Sequence, residues 1–310
     1  MGVPLTVILP VKNEEANLSA ALASVQWADE VIVVDSRSRD RTAEIARAAG
    51  ATVVQFDYVP GGPKKKAWAL STLAPRNEWL LLLDADERVP TVLREEIEQA
   101  IARGEHDGYY IDRDMIFMGR SLRCYGRNWN LRLFRRGRAR MEDLGLGDLP
   151  GTGDNEIHEH VVVTGRIGFL EQQLDHDDYR GLSAWLERHN RYSTWEAHLY
   201  RRFRREPLQL GSAGFFRLDR VARNRILRRV WVRLPFRAPL RFLLWYLARG
   251  GFRDGRPGFI YSVLMGYYEF ITGVKLRELE EASRSGGLDG LDVQAVGDPD
   301  QERRAPAEAS

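Results

Sequence analysis

Cysteine is almost absent: Cys124 is the single thiol in 310 residues. With no partner in the chain, it excludes an internal disulfide framework and thiolate-held zinc or iron–sulfur centres, and it points to a reducing, cytosolic compartment. No uncharged apolar run reaches the roughly 18 to 20 residues needed to cross a bilayer. Met1 to Leu5 lead straight into a strand-like pattern without a basic leader, so neither spanning nor secretion is expected. Two nucleotide signatures are also missing. There is no Gly-x-x-x-x-Gly-Lys-Ser/Thr loop, no Gly-x-Gly-x-x-Gly follows Leu5–Leu9, and Gly145-Leu146-Gly147 follows no strand and opens no helix. A P-loop is therefore excluded and a dinucleotide dehydrogenase disfavoured. Net charge is small as well, with 46 Lys plus Arg against 44 Asp plus Glu, which gives no global case for nucleic acid.

What is present is order and segregation. Short apolar runs at Leu5–Leu9, Val31–Val34, Ala51–Val54 and Trp79–Leu83 suit strands buried on both faces. Helical patterns alternate with them: Glu14–Gln26, Arg41–Ala49 closed by Gly50, Lys64–Leu73 closed by Pro75, and Val92–Arg103 closed by Gly104. This alternation predicts an α/β domain with a mostly parallel sheet flanked by helices. Strands are expected at Tyr109–Ile111 and Leu131–Phe134, a loop at Gly145–Asn155, a hairpin from Val161–Val163 to Ile167–Leu170, and helix again at Leu182–Phe203. From Arg180 to Arg256 stand 19 arginines, no lysine and five acids, a net +14, whereas Arg277–Ser310 is net −5. The expected division is a catalytic domain over 1–180, a helical Arg-rich region over 181–282 and a disordered acidic tail over 283–310.

Ligands of open parallel sheets bind beyond the carboxyl ends of the strands. There the sequence places Pro10-Val11-Lys12-Asn13-Glu14-Glu15, then Asp35-Ser36, then Asp84-Ala85-Asp86. If 84–86 is extended, Asp84 and Asp86 point to one side and share a hard cation, Mg²⁺ or Mn²⁺, that carries a diphosphate. The plainer alternative ends a strand at Asp84 and caps a helix with Asp86. Asn13 and Glu14 equally suit a helix cap and first turn. Asp35 either starts a turn with Ser36 and Ser38 or accepts hydrogen bonds from a nucleobase or ribose. Lys64-Lys65-Lys66 is a phosphate contact or a solvated helix start. Among His158, His160 and His176, the last follows a strand-like region among acids and is the best metal or phosphate candidate, against a purely structural role.

Taken together, Val-Ile-Leu-Pro-Val-Lys-Asn-Glu-Glu, Val-Ile-Val-Val-Asp-Ser and Leu-Leu-Asp-Ala-Asp-Glu resemble the inverting family-two glycosyltransferases of GT-A fold. Arg132–Gly137, Ile157-His158-Glu159 and Leu234–Gly255 are similar to those that build bacterial lipopolysaccharide core. The resemblance implies that Pro10, Asn13, Glu14 and Asp35 line a nucleoside pocket. It implies that Asp84 and Asp86 mark the donor's ribose–diphosphate and metal, with Asp86 the direct ligand; the residue pattern itself adds Lys66 as a donor contact and His176 as a metal candidate. Glu159 becomes the base that deprotonates the acceptor hydroxyl, with Asp154 and Glu156 as rivals. The implied donor is a UDP-sugar and the implied acceptor a lipid-linked glycan. Polyprenyl phosphate is an alternative acceptor, and a non-catalytic nucleic-acid or scaffold protein is the alternative of another class, although no recognised nucleic-acid motif supports it.

The basic region has its own pattern. Leu218, Val221, Ala222, Ile226 and Val230 recur at helical spacing among arginines, and Leu234–Tyr246 and Phe259–Ile271 mix Leu and Phe with Arg, Trp and Tyr. Such helices suit an anionic membrane surface, which places the protein peripherally on the inner face of the membrane. The alternative packs them on the catalytic body with their arginines solvated.

Overall fold

The structure is a computed structural model and describes residues 2–142, 160–176, 181–205 and 220–284. Among them, a first compact unit ends at Ser183 and a second begins at Ala184.

In the first unit, β1 (Val3–Val11), β2 (Ala28–Asp35), β3 (Thr52–Gln55) and β4 (Trp79–Leu82) alternate with α1 (Leu18–Ala23), α2 (Thr42–Ala48) and α3 (Lys65–Thr72). Then come β5 (Glu87–Arg88), α4 (Thr91–Arg103), β6 (Gly108–Phe117), β7 (Arg120–Ser121), β8 (Asn130–Arg135), β9 (Ala139–Met141), β10 (Val161–Val163) and β11 (Ile167–His176). The main sheet runs β3-β2-β1-β4-β8-β6-β11-β5, with β7 paired to β6. Its first four strands are parallel, β8 is antiparallel to both neighbours, β11 is parallel to β6, and β5 closes the edge antiparallel.

The apolar runs become strands because both faces are covered. Leu5, Val7, Leu9, Leu81 and Leu83 pack with Leu22, Leu93 and Ile97 on one side. Ile8, Leu80, Leu82 and Phe134 pack with Phe56, Ala69 and Val163 on the other. Each such fully buried side chain contributes about 1.5–3 kcal/mol of transfer free energy. Gly104 ends α4 at φ 62°, a left-handed cap that a side chain would strain.

Three expectations are corrected. The helix expected from Glu14 begins only at Leu18, because Asn13 sits at φ 54° and the amides of Glu14 and Glu15 donate to Thr42 Oγ1 and Asp40 Oδ2 instead of starting a helix. The hairpin around Thr164-Gly165 does not form. β10 pairs with β9, while β11 joins β6 in parallel, burying Leu170 and Leu174 in the core. The segment 84–86 is a turn, closed by the Glu87 amide on the Asp84 carbonyl at 3.0 Å.

The second unit is helical. Helix α5 (Gly181–Arg205) enters it, followed by α6 (Arg220–Trp231), α7 (Arg237–Leu243), a wider turn at Leu244–Ala248, and α8 (Gly255–Arg284). Ala197, Tyr200, Val232 and Leu276 form its small core. Helices α7 and α8 approach closely at Gly266, where a Cβ would lie 3.2 Å from the Ala238 carbonyl. Buried Glu269 is paired with Arg237 at 2.9 Å and Arg241 at 2.8 Å and accepts from the Trp231 indole at 3.1 Å. Leu240, Leu243, Leu244 and Leu247, and on α8 Phe259, Val263, Tyr267, Phe270 and Val274, remain exposed. No helix among the described residues is long and apolar enough to cross a membrane. Helix α8 includes Ser283 and Arg284; the remainder of the expected tail, the Gly145–Asn155 loop and Leu218 lie outside the described residues.

Candidate active site

Strands β2 and β3 step away from β1 on one side, and β4 lies on the other, so the strand order reverses between β1 and β4. Open α/β sheets bind ligands in the crevice at that point.

At the end of β1, buried Pro10 lies opposite Val34. Asn13 Oδ1 accepts from the Arg39 amide at 2.9 Å, and the Asn13 amide donates to Ser38 Oγ at 2.8 Å. These bonds stitch the β1 loop to the loop after β2, and the cap of α1 is Asn17 rather than Asn13. Glu14 Oε2 accepts from Asn17 Nδ2 at 2.9 Å. Asp35 is 1% exposed. It accepts from the Ser38 hydroxyl at 2.5 Å, the Ser38 amide at 3.1 Å and Gln55 Nε2 at 2.9 Å. A carboxylate has about four lone-pair positions, so one remains for a ligand.

The first turn of α3 reaches both strand ends. Buried Lys65 donates from Nζ to the Val11 carbonyl at 2.9 Å, and Lys66 Nζ lies 2.8 Å from Asp84 Oδ1. Asp84 Oδ2 meets Arg132 at 2.5 Å, and the same guanidinium nitrogen reaches Glu87 Oε1 at 2.6 Å. Glu87, wholly buried, also takes Arg113 at 3.1 Å and the Asp84 amide at 2.9 Å. Burial by itself would raise the Asp84 pKa. The charges of Arg132 and Lys66, with Arg113 behind them, outweigh it and hold the carboxyl well below its ordinary 3.8. Burial likewise disfavours the Arg132 cation, and Asp84 and Glu87 more than compensate, raising its pKa.

Asp86 has a different partner. The antiparallel register of β5 on β11 places His176 opposite Glu87, and His176 Nε2 lies 3.3 Å from Asp86 Oδ2. The turn thus separates the two aspartates: Asp84 is neutralised by cations of the protein, and Asp86 faces an imidazole. Among the described residues no group of three or more His, Cys, Asp or Glu gathers to hold a metal. One carboxylate oxygen and one imidazole nitrogen nevertheless fit Mn²⁺ or Mg²⁺ in a site completed by diphosphate oxygens and water.

Glu159, its rivals Asp154 and Glu156, and His158 lie outside the described residues. His160 is exposed, and its carbonyl accepts from the Glu142 amide at 2.8 Å. Sequence reasoning missed Glu87, Arg113 and Arg132, and it read Lys65 only as part of a phosphate-contacting or solvated lysine run, whereas its ammonium is buried on the Val11 carbonyl. Arg132 had a signal: it interrupts Leu131 and Leu133 in a strand otherwise apolar on both faces, where an unpaired charge is too costly to bury.

Acids and cations gather at the carboxyl ends of β1, β2 and β4, on both sides of the reversal, in the crevice where open α/β sheets bind their ligands. Residues 6–153, 148 of the 310, match the model of glycosyl transferase family 2, and with the curated relatives this supports a family-two glycosyltransferase. The lipopolysaccharide core biosynthesis glycosyltransferase LpsC of Rhizobium meliloti is 28% identical over 88% of this chain and 92% of its own length. An uncharacterized glycosyltransferase of Rickettsia typhi is 28% identical over 91% and 89%. The glucosyl-3-phosphoglycerate synthase of Mycobacterium tuberculosis, solved with Mn²⁺ and UDP-glucose, is 28% identical over 35% of this chain and 43% of that one, with a TM-score of 0.30.

Proposed function

We propose that this glycosyltransferase moves a sugar from a UDP-sugar to a hydroxyl of a lipid-linked or lipopolysaccharide-type glycan, with inversion and with a divalent cation. The observation that supports the reading most is the Asp86–His176 pair, 3.3 Å apart beside the Asp84–Lys66–Arg132 cluster. A cation bound there supplies positive charge to the departing diphosphate. The chain's own groups do the rest. Asn13, Glu14 and Asp35 lie at the β1 and β2 ends and take the nucleoside, held in place by the bonds to Ser38, Thr42 and Gln55. Lys66 stands between Asp84 and the diphosphate, and Asp84 keeps its ammonium in the crevice. Glu159 takes the proton from the acceptor hydroxyl as that oxygen attacks the anomeric carbon, and a single displacement inverts it. The LpsC likeness, which extends over most of both chains, supports the acceptor class.

The second unit supports a membrane-surface position. The exposed apolar stripes of α7 and α8 are bordered by the exposed Arg249, Arg253 and Arg256, a pattern suited to helices in the headgroup region of an anionic leaflet.

Thermal unfolding measured against a panel of nucleotide sugars, with and without Mn²⁺, tests the donor reading. A UDP-sugar should raise the midpoint, more so with Mn²⁺, and Asp86→Ala should remove the Mn²⁺-dependent part. Protection by no nucleotide sugar, or full Mn²⁺ dependence in Asp86→Ala, overturns it.

A further inference from the structure

Past β4, away from the nucleoside end, the sheet continues through β8, β6 and β11, and an aromatic surface lies there that the donor site does not use. Tyr110 on β6 stacks on Phe169 of β11, with centroids 5.2 Å apart and planes at 19°. Trp129, just before β8, meets Phe169 edge-on at 5.2 Å. The Arg127 guanidinium covers the Trp129 ring at 5.2 Å. Phe169 is 60% exposed, near the start of β11 where that strand pairs with β6 alone, and an aromatic ring gains from being covered.

A second, independent feature fixes this surface. Asp112 is buried at 1% exposure and belongs to neither the nucleoside end nor the Asp84 cluster. Its Oδ1 accepts from the Asn128 amide at 2.5 Å and the Arg113 amide at 2.9 Å, and its Oδ2 accepts from Gln173 Nε2 at 2.7 Å. One carboxylate therefore ties the short segment bearing Arg127 and Trp129 to β6 and β11, the strands that carry Tyr110 and Phe169. Arg113, next along β6, reaches Glu87 at 3.1 Å, so the anchor of the aromatic surface adjoins the cluster that holds Asp84.

We infer that Tyr110, Phe169 and Trp129 form an acceptor subsite that takes one pyranose ring of the glycan face-on, with Arg127 donating at its edge and Asp112 as the positioning residue. The chemistry favours a sugar. The axial C–H face of a pyranose is apolar and weakly positive, and it fits the negative face of an exposed aromatic ring, while its equatorial hydroxyls need donors and acceptors at the rim. Sheet order excludes the donor's base as the occupant: Asp35 ends β2, and β1, β4 and β8 separate β2 from β6. The inference rests on the glycan-acceptor reading given above.

Saturation-transfer NMR with a deacylated lipopolysaccharide core oligosaccharide as the probe needs neither donor nor turnover, so it stands apart from the donor test. Ring protons of the oligosaccharide should show transfer from the wild-type protein. Phe169→Ala should weaken its binding by about tenfold, the scale of one lost aromatic stack, and Phe169→Tyr should restore it. Phe169 is exposed, so folding should survive, and unchanged circular dichroism checks this. Asp112→Asn keeps the side-chain shape; it should weaken binding of the same probe while rescuing more than Asp112→Ala does. No transfer in the wild-type protein, or equal binding by Phe169→Ala and Trp129→Ala, overturns the subsite. UDP-sugar protection in a wild-type protein that ignores the oligosaccharide would leave the donor reading standing and this inference refuted.

Discussion

Arg132→Leu removes the guanidinium on which both halves of the crevice's charge cluster depend. Its side chain is 6% exposed and lies 2.5 Å from Asp84 and 2.6 Å from Glu87. Removing one partner of a buried pair costs about 3–5 kcal/mol, because the other charge stays buried and unpaired. Here Lys66 still reaches Asp84 at 2.8 Å and Arg113 still reaches Glu87 at 3.1 Å, so the expected loss is smaller, about 2–3 kcal/mol. For a unit of this size that corresponds to a fall in unfolding midpoint of roughly 5–10 °C. Hydrogen exchange of peptides covering β4 and β8 reads the loss where it occurs. A pH series adds a second arm. The folded Asp84 carboxyl has a depressed pKa, so its contribution is complete above the unfolded value of 3.8 and disappears as pH falls through the folded one. Without Arg132 the folded pKa rises, and acid should begin to loosen β4 at a higher pH than in the parent. Unaltered exchange at neutral pH together with an unshifted acid onset would refute the cluster's role.

Glu159→Gln should keep UDP-sugar protection intact while transfer to a hydroxyl falls by about a hundredfold or more, the usual scale of a lost general base; parent-like kinetics would remove Glu159 from that role, and full activity on polyprenyl phosphate would favour the already ionised acceptor. Co-sedimentation should rise with the anionic lipid content of vesicles and fall with salt, and replacing Phe259, Val263 and Phe270 by serine should weaken it; indifference to lipid charge would sink the surface assignment. In the second unit, burial pushes His189 down to about 4, with its Nδ1 on the Trp185 carbonyl at 2.8 Å. A neutral buried histidine costs nothing above the unfolded 6.5 and progressively more below it as the unfolded chain takes up the proton. Denaturation of His189→Gln should therefore lose about 2–3 kcal/mol less than the parent between pH 6.5 and 4, and parallel stability–pH curves would contradict that.

How much could be read without coordinates differed between fold and site. β1, β4 and the latter half of β2 were legible because strands covered on both faces are continuous apolar runs, β3 showed as a shorter run at the sheet edge, and α2, α3 and α4 fell within a residue or so of expectation. The start of α1 was not. A hydrophobic period cannot show that the amides of Glu14 and Glu15 are already taken by Thr42 and Asp40. Nor could local pattern separate Val161–Val163 from Ile167–Leu170, since two short apolar runs around Thr-Gly look alike whether they pair with each other or with remote strands.

Alone, the order of residues determined which carboxylates stand at the ends of β1, β2 and β4, because each follows closely on a continuous apolar run. Partnership was decided by the tertiary structure. Asp84 and Asp86 are two residues apart, yet a turn gives one to Lys66 and Arg132 and sends the other to His176. Side chains drawn from positions 48 and 90 residues further along the chain set those charges, and only the register of β8 and β11 brings them into reach.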